Sequence, residues 1–123
     1  MISVVQNFIC TKDIRLKILE DNLPLIGEVF SDYTFYVNYN TDINADIVFN
    51  LYKKYIKNLN FYNDLSPEWA PTTLSLVNQV NTPYTMYLCE DTMVHANKDK
   101  IHNCINEYIK DNYDYLLLTK IDK

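Results

Sequence analysis

The sequence predicts an α/β fold, a three-layer α/β/α domain with a mostly parallel sheet of four or five strands. Two observations carry this. Short β-branched or aromatic runs alternate along the whole chain with stretches of helical apolar spacing, joined by short connections. That alternation implies parallel strands linked by right-handed crossovers, with helices on both faces of the sheet. The length of 123 residues suffices for a single core, so residues 1–123 are read as one domain.

At the start of the chain, Ile2 to Ile9 is a β-branched run fit for a buried strand, and Thr11 or Asp13 can cap the helix after it. Ile14, Ile18, Leu19, Leu23 and Ile26 recur at helical spacing, with Pro24 expected to break or kink the helix near Asn22. Tyr33 to Asn38 is the second strand. The polar run Asn38 to Asp46 reads as a loop ending in a helix cap at Thr41, Asp42 or Asn44. Ile47, Val48, Leu51, Tyr52, Tyr55 and Ile56 then mark an amphipathic helix whose outer face carries Lys53, Lys54 and Lys57. Asn58 to Asn63 is a weaker third strand, and Thr72 to Val80 a short helix with Leu74, Val77 and Val80 turned inward. Pro83 to Leu88 is the fourth strand. Lys98 to Asn112 reads as a helix with Ile101, Cys104, Ile105, Tyr108 and Ile109 on one face, and Tyr113 to Ile121 as a closing strand.

Composition narrows the function. Hydrophobic residues make up 48% and charged residues 22%, a globular balance. A formal charge of −5 leaves no electrostatic footprint for nucleic acid. Three cysteines without a paired spacing suit reduced thiols, and no basic leader or membrane-length apolar run is visible, so a soluble cytoplasmic protein is expected. The single glycine, Gly27, excludes the Gly-rich dinucleotide fingerprint and the Walker phosphate loop, which need several.

The stretch that draws attention is TPYTMYLCEDTMV, residues 82–94, where a short strand runs into Glu90 and Asp91. Ionised groups are seldom buried without partners, and ligands of open α/β sheets bind outside the carboxyl ends of the strands. A hard divalent cation carrying phosphates suits such a pair. The competing reading is an acidic strand-to-helix turn, with Asp91 or Thr92 as a cap.

Four stretches carry a resemblance: Ile2 to Asn7, the run RLKILEDNLPLI from Arg15, the run YVNYNTD from Tyr36, and TTLSLVNQVNTPYTMYLCED ending at Asp91. Together they resemble the nucleotide-binding half of inverting glycosyltransferases with the GT-A fold, of the family 2 type. The resemblance implies a Rossmann-like domain that binds a nucleotide-diphosphate sugar through Mn or Mg. Glu90 and Asp91 would stand at the family's metal-binding Asp-x-Asp, and Cys89 near a further Asp that many members carry. Asn38 falls where the family has an Asp reading the base. Asn40 replaces a Gly, in a position suited to a left-handed turn. With Gln6, Asn7, Phe8 and Asp42, these would form the donor nucleotide site, and Tyr39 or Phe8 could stack on the base or simply pack. Only 32 residues follow Asp91. The acceptor half is therefore expected to be absent, and transfer to need a missing C-terminal domain or a protein partner.

The remaining candidates are thinner. His95 could share a metal with Asp91 if helical, His102 reads as a helix-surface residue, and Cys104 as core packing. No nucleophile elbow is present. A receiver-type phospho-acceptor is set aside, because Gln6 and Asn7 stand where its acidic pair should end the first strand, although Lys120 fits its pattern. The alternative function is a non-catalytic α/β interaction module that keeps the fold without the chemistry.

Overall fold

A computed structural model of the chain describes residues 2–91 and 97–111. It is an α/β protein whose four strands are all parallel, flanked by four helices in a three-layer, Rossmann-like arrangement. The order along the chain is β1 (Ile2–Phe8), α1 (Asp13–Val29), β2 (Thr34–Tyr39), α2 (Ala45–Tyr55), β3 (Asn58–Tyr62), α3 (Trp69–Gln79), β4 (Tyr84–Tyr87) and α4 (Lys98–Asp111). The closing strand expected over Tyr113 to Ile121 lies outside the described residues, as do His95, Thr92 and Lys120.

In space the strands run β3-β2-β1-β4. The first two crossovers step in one direction, and α1 and α2 pack against each other. The third returns past β2 and β1 to the opposite edge, so a right-handed connection places α3 on the other face, over β1 and β2. The direction of winding therefore reverses between β1 and β4.

The two faces of the sheet differ, and strand alternation explains why. Val4 and Phe8 of β1 and Phe35, Val37 and Tyr39 of β2 join Leu19, Leu23 and Ile26 of α1 and Val48 and Tyr52 of α2 in one apolar core. Each such side chain, removed from water, contributes about 1.5–3 kcal/mol. On the α3 side stand Ser3, Asn7 and Asn38, all buried and polar, together with the buried Val5, and with Thr72 and Leu76 of α3. The helix turns these two residues inward and leaves Leu74 and Val77 exposed, opposite to expectation. The Asn7 amide on this face is met by the Trp69 carbonyl and Thr73 Oγ1, while the buried Thr72 hydroxyl donates back to the Glu68 carbonyl at 2.8 Å.

Three further expectations are corrected. Helix α1 runs unbroken through Pro24, because the stripe Leu19, Leu23, Ile26 and Val29 is anchored on both sides of it. The left-handed residue among the described ones is Asn44 (φ 61°), at the start of α2, and not Asn40. On α4, Ile105 is buried and Cys104 exposed. His102 docks that helix, with Nε2 2.6 Å from the Val29 carbonyl and its ring edge-on to Tyr33.

At Gly27 helix α1 lies directly against the backbone of α2. A Cβ placed there would stand 2.2 Å from the Tyr55 carbonyl oxygen.

Candidate functional site: a cleft at the switch point

A cleft of about 620 Å³ opens at the carboxyl ends of the strands. Its floor is the end of β1 (Asn7, Phe8, Ile9). Thr11, Lys12 and Arg15 from the entry of α1 form one wall, Pro67 and Trp69 a second, and Asn40 and Glu90 complete the rim. This is the crevice where winding reverses between β1 and β4, the place where open parallel sheets take ligands.

The strands set which side chains arrive. Successive residues of β1 face opposite ways, so Gln6 and Phe8 turn toward α1 and α2 while Asn7 turns toward α3. Gln6 is buried beneath the cleft, where its Oε1 accepts from the Tyr52 hydroxyl at 2.7 Å. Its Nε2 has no hydrogen-bond partner among the described residues. Burial pushes the Tyr52 hydroxyl well above its ordinary pKa, and the negative charge of Glu90 adds to this. Tyr52 therefore stays protonated and available as the donor.

Asn38 is wholly buried and fully engaged. Its Nδ2 donates to Asn7 Oδ1 and to the Asp64 carbonyl, each at 3.1 Å, and its Oδ1 accepts from the Asp64 amide at 2.8 Å. Asn40 donates to the Ser66 carbonyl at 2.7 Å, and Asn63 donates back to the carbonyls of Tyr39 and Thr41. These asparagines fasten the segment between β3 and α3 to the end of β2, which holds Pro67 and Trp69 in the cleft wall. Tyr39 is buried in the core, its hydroxyl donating to the Cys10 carbonyl at 2.9 Å. Asp42 is exposed, on the approach to α2 and away from the cleft lining.

Of the residues singled out from the sequence, Asn7, Phe8, Asn40 and Glu90 come together in the cleft. Asp91 stands beside it. The Arg15 guanidinium lies 3.8 Å from Glu90 Oε1 and 3.4 Å from Asp91 Oδ2. The side chains of Arg15 and Asp91 are about half exposed (51% and 48%), whereas Glu90 is only 18% exposed. Burial raises the Glu90 pKa above the usual 4.5, against the lowering effect of its own backbone N–H; Asp91 adds to the rise and Arg15 opposes it. The Cys89 thiol is likewise pushed up, by burial first and by Glu90 and Asp91 second, so it remains a thiol. Among the described residues no three His, Cys, Asp or Glu side chains cluster in a way that could hold a metal ion by themselves.

Trp69, Lys12 and Arg15 were not assigned to the site from sequence. Arg15 was visible only as part of the first-helix resemblance, and Trp69 sat in what reads as a loop. The partner that fixes Trp69 is Asn7, distant in sequence, and no local pattern announces that contact.

Fold and site together define a class, a parallel α/β domain with a cleft of mixed charge at its switch point. No protein-family model, curated protein or solved structure matches the chain.

Proposed function

We propose that the cleft binds a nucleotide-diphosphate sugar, as the resemblance to family 2 glycosyltransferases implies, with Mg or Mn held at Glu90 and Asp91. The observation that carries the reading is the placement of Glu90 in the lining of a switch-point cleft that also presents Lys12 and Arg15. Two hard carboxylates are the protein share of a site whose other ligands are phosphate oxygens and water, the usual mode for Mg. Cys89, a protonated soft sulfur, is not part of that set.

Arg15 does not block this arrangement. Its contacts with the carboxylates are long, 3.8 Å to Glu90 and 3.4 Å to Asp91, and the Asp91 pair joins two half-exposed side chains. Exposed ion pairs of this kind contribute no more than ~1 kcal/mol. On binding, Arg15 and Lys12 turn to the diphosphate while Glu90 and Asp91 take the cation. The ion supplies Lewis-acid stabilisation of the charge that develops on a departing diphosphate. Glycosyl transfer draws its acceptor, and the base that activates it, from a further domain or a protein partner.

The test is calorimetric titration of the full chain with uridine, guanosine, adenosine and cytidine diphosphates, with and without Mg. The expected result is Mg-dependent binding of one of them, abolished in Asp91→Ala. Absence of binding for all four at millimolar concentration would leave the alternative, a non-catalytic interaction module in which Arg15 permanently neutralises the acidic pair.

A further inference from the structure

Trp69 has a combination of properties that packing does not explain. It opens α3 and lines the cleft, yet 53% of the residue is exposed. An indole serving only the core would be covered. Its orientation is nevertheless fixed. The indole Nε1 donates to the Asn7 carbonyl at 3.1 Å, and Asn7 Nδ2 returns a bond to the Trp69 carbonyl at 3.3 Å. Asn7 Nδ2 also reaches Thr73 Oγ1 at 3.0 Å, one turn further along α3. Tyr87 packs against the ring edge-to-face with centroids 5.8 Å apart, and its hydroxyl donates to the same Asn7 carbonyl at 3.3 Å. The one polar atom of the ring is therefore satisfied, one flank is braced by a second aromatic, and much of the remaining surface is open.

We infer that Trp69 is the stacking platform for the nucleobase of the cleft's ligand, braced by Tyr87 and oriented by Asn7; this rests on the nucleotide reading above. A large aromatic surface that is immobilised before binding loses little freedom when a flat heterocycle settles on it. Stacking on aromatic side chains is also tolerant of base identity. Selection among bases then falls to edge contacts. Asn40 is placed for this: its Nδ2 is committed to Ser66, while its Oδ1 carries none of the described hydrogen bonds and the residue lines the same cleft. A base bearing an in-plane N–H fits that acceptor. The charged groups, Lys12, Arg15 and Glu90, stand in the same lining for the diphosphate and its cation.

The chain contains one tryptophan, so intrinsic indole emission reports on Trp69 alone. The experiment titrates the full chain with the nucleoside diphosphates and, separately, with inorganic pyrophosphate, in the presence of Mg. Emission and calorimetric heat are followed in parallel. The expected result is saturable quenching by a nucleoside diphosphate at the concentrations where heat is released, and pyrophosphate binding without quenching. Trp69→Ala is expected to weaken the nucleotide by roughly five- to a hundred-fold while leaving pyrophosphate affinity unchanged. Trp69→Phe is expected to restore most of the loss. Nucleotide binding with unchanged emission and unchanged affinity in Trp69→Ala would overturn the inference while leaving the cleft's nucleotide reading intact. Equal weakening of both ligands would overturn it as well, marking Trp69 as a support of the cleft wall. Heat from neither ligand would remove the nucleotide reading and the inference with it. Where Trp69→Ala fails to fold, wild-type emission still tests the inference: heat from a nucleoside diphosphate with no quenching would overturn it.

Discussion

Replacing Gly27 by alanine sets two local effects against each other, and the structure decides which wins. Gly27 lies inside α1, where alanine is the better helix former by about 1 kcal/mol. Propensity alone therefore expects a more stable protein. The added methyl, however, would meet the Tyr55 carbonyl oxygen at 2.2 Å, with the Tyr55 carbonyl carbon at 3.1 Å. The obstacle is backbone of α2 and cannot rotate away like a side chain. Relief requires α1 and α2 to separate by about an ångström, opening the contacts of Ile26 and Tyr52 in a close-packed core. Overpacking of this kind costs about 1–3 kcal/mol, and more where backbone must move. The expected outcome is net destabilisation of about 1–2 kcal/mol, seen as a lower urea midpoint at unchanged slope and a Tm reduced by several degrees. An unchanged or raised midpoint would refute the close helix crossing on which this reasoning depends.

Pro24→Ala tests the uninterrupted α1. Restoring an N–H to the helix interior should stabilise the protein by about 1–2 kcal/mol in urea unfolding, after allowance for the looser unfolded chain. A loss would instead mean that the helix breaks there. Glu90→Gln should raise stability at neutral pH, because the native-state pKa of Glu90 lies above its ordinary value and ionisation in the fold is the unfavourable step. The Glu90 penalty is absent below the ordinary glutamate pKa and grows as pH rises through the native one. The advantage of the variant should track that rise in unfolding midpoints measured from pH 3 to 8. Asn38→Asp exchanges the donor facing Asn7 Oδ1 and the Asp64 carbonyl for an acceptor. A loss of about 1–3 kcal/mol is expected, together with increased proteolysis between β3 and α3. Unchanged stability would show that Asn38 does not clamp that segment.

Alternation of strand and helix was legible because each buried strand and each α1- or α2-facing stripe obeys a simple period. Val4, Val37, Leu23 and Tyr52 fall where periodicity puts them. The polar face was not legible. Periodic patterns presume that an inward face is apolar, whereas the sheet surface under α3 mixes Ser3, Asn7 and Asn38 with Val5, and there Thr72 is buried and Leu74 exposed. The same amides account for the cleft wall. Asn38 and Asn40 were visible as polar residues at a strand end, but their bonds run to Asp64 and Ser66, which only the folded chain brings near. Gly27 showed in the sequence only which nucleotide-binding loops are absent; its structural role needs Tyr55, across a helix crossing. The Glu90–Asp91 pair was found from charge at a strand end, whereas the Arg15 that meets it comes from the far side of the switch point.

The measurement that bears most directly on the central claim is thermal unfolding of the full chain with Mg and each nucleoside diphosphate, alongside Asp91→Ala. A ligand at a hundred times its Kd stabilises the native state by about 2.7 kcal/mol, which raises Tm by several degrees. The account predicts such a rise with one nucleotide, dependent on Mg and absent in Asp91→Ala. An unmoved Tm with every nucleotide at millimolar concentration would contradict it.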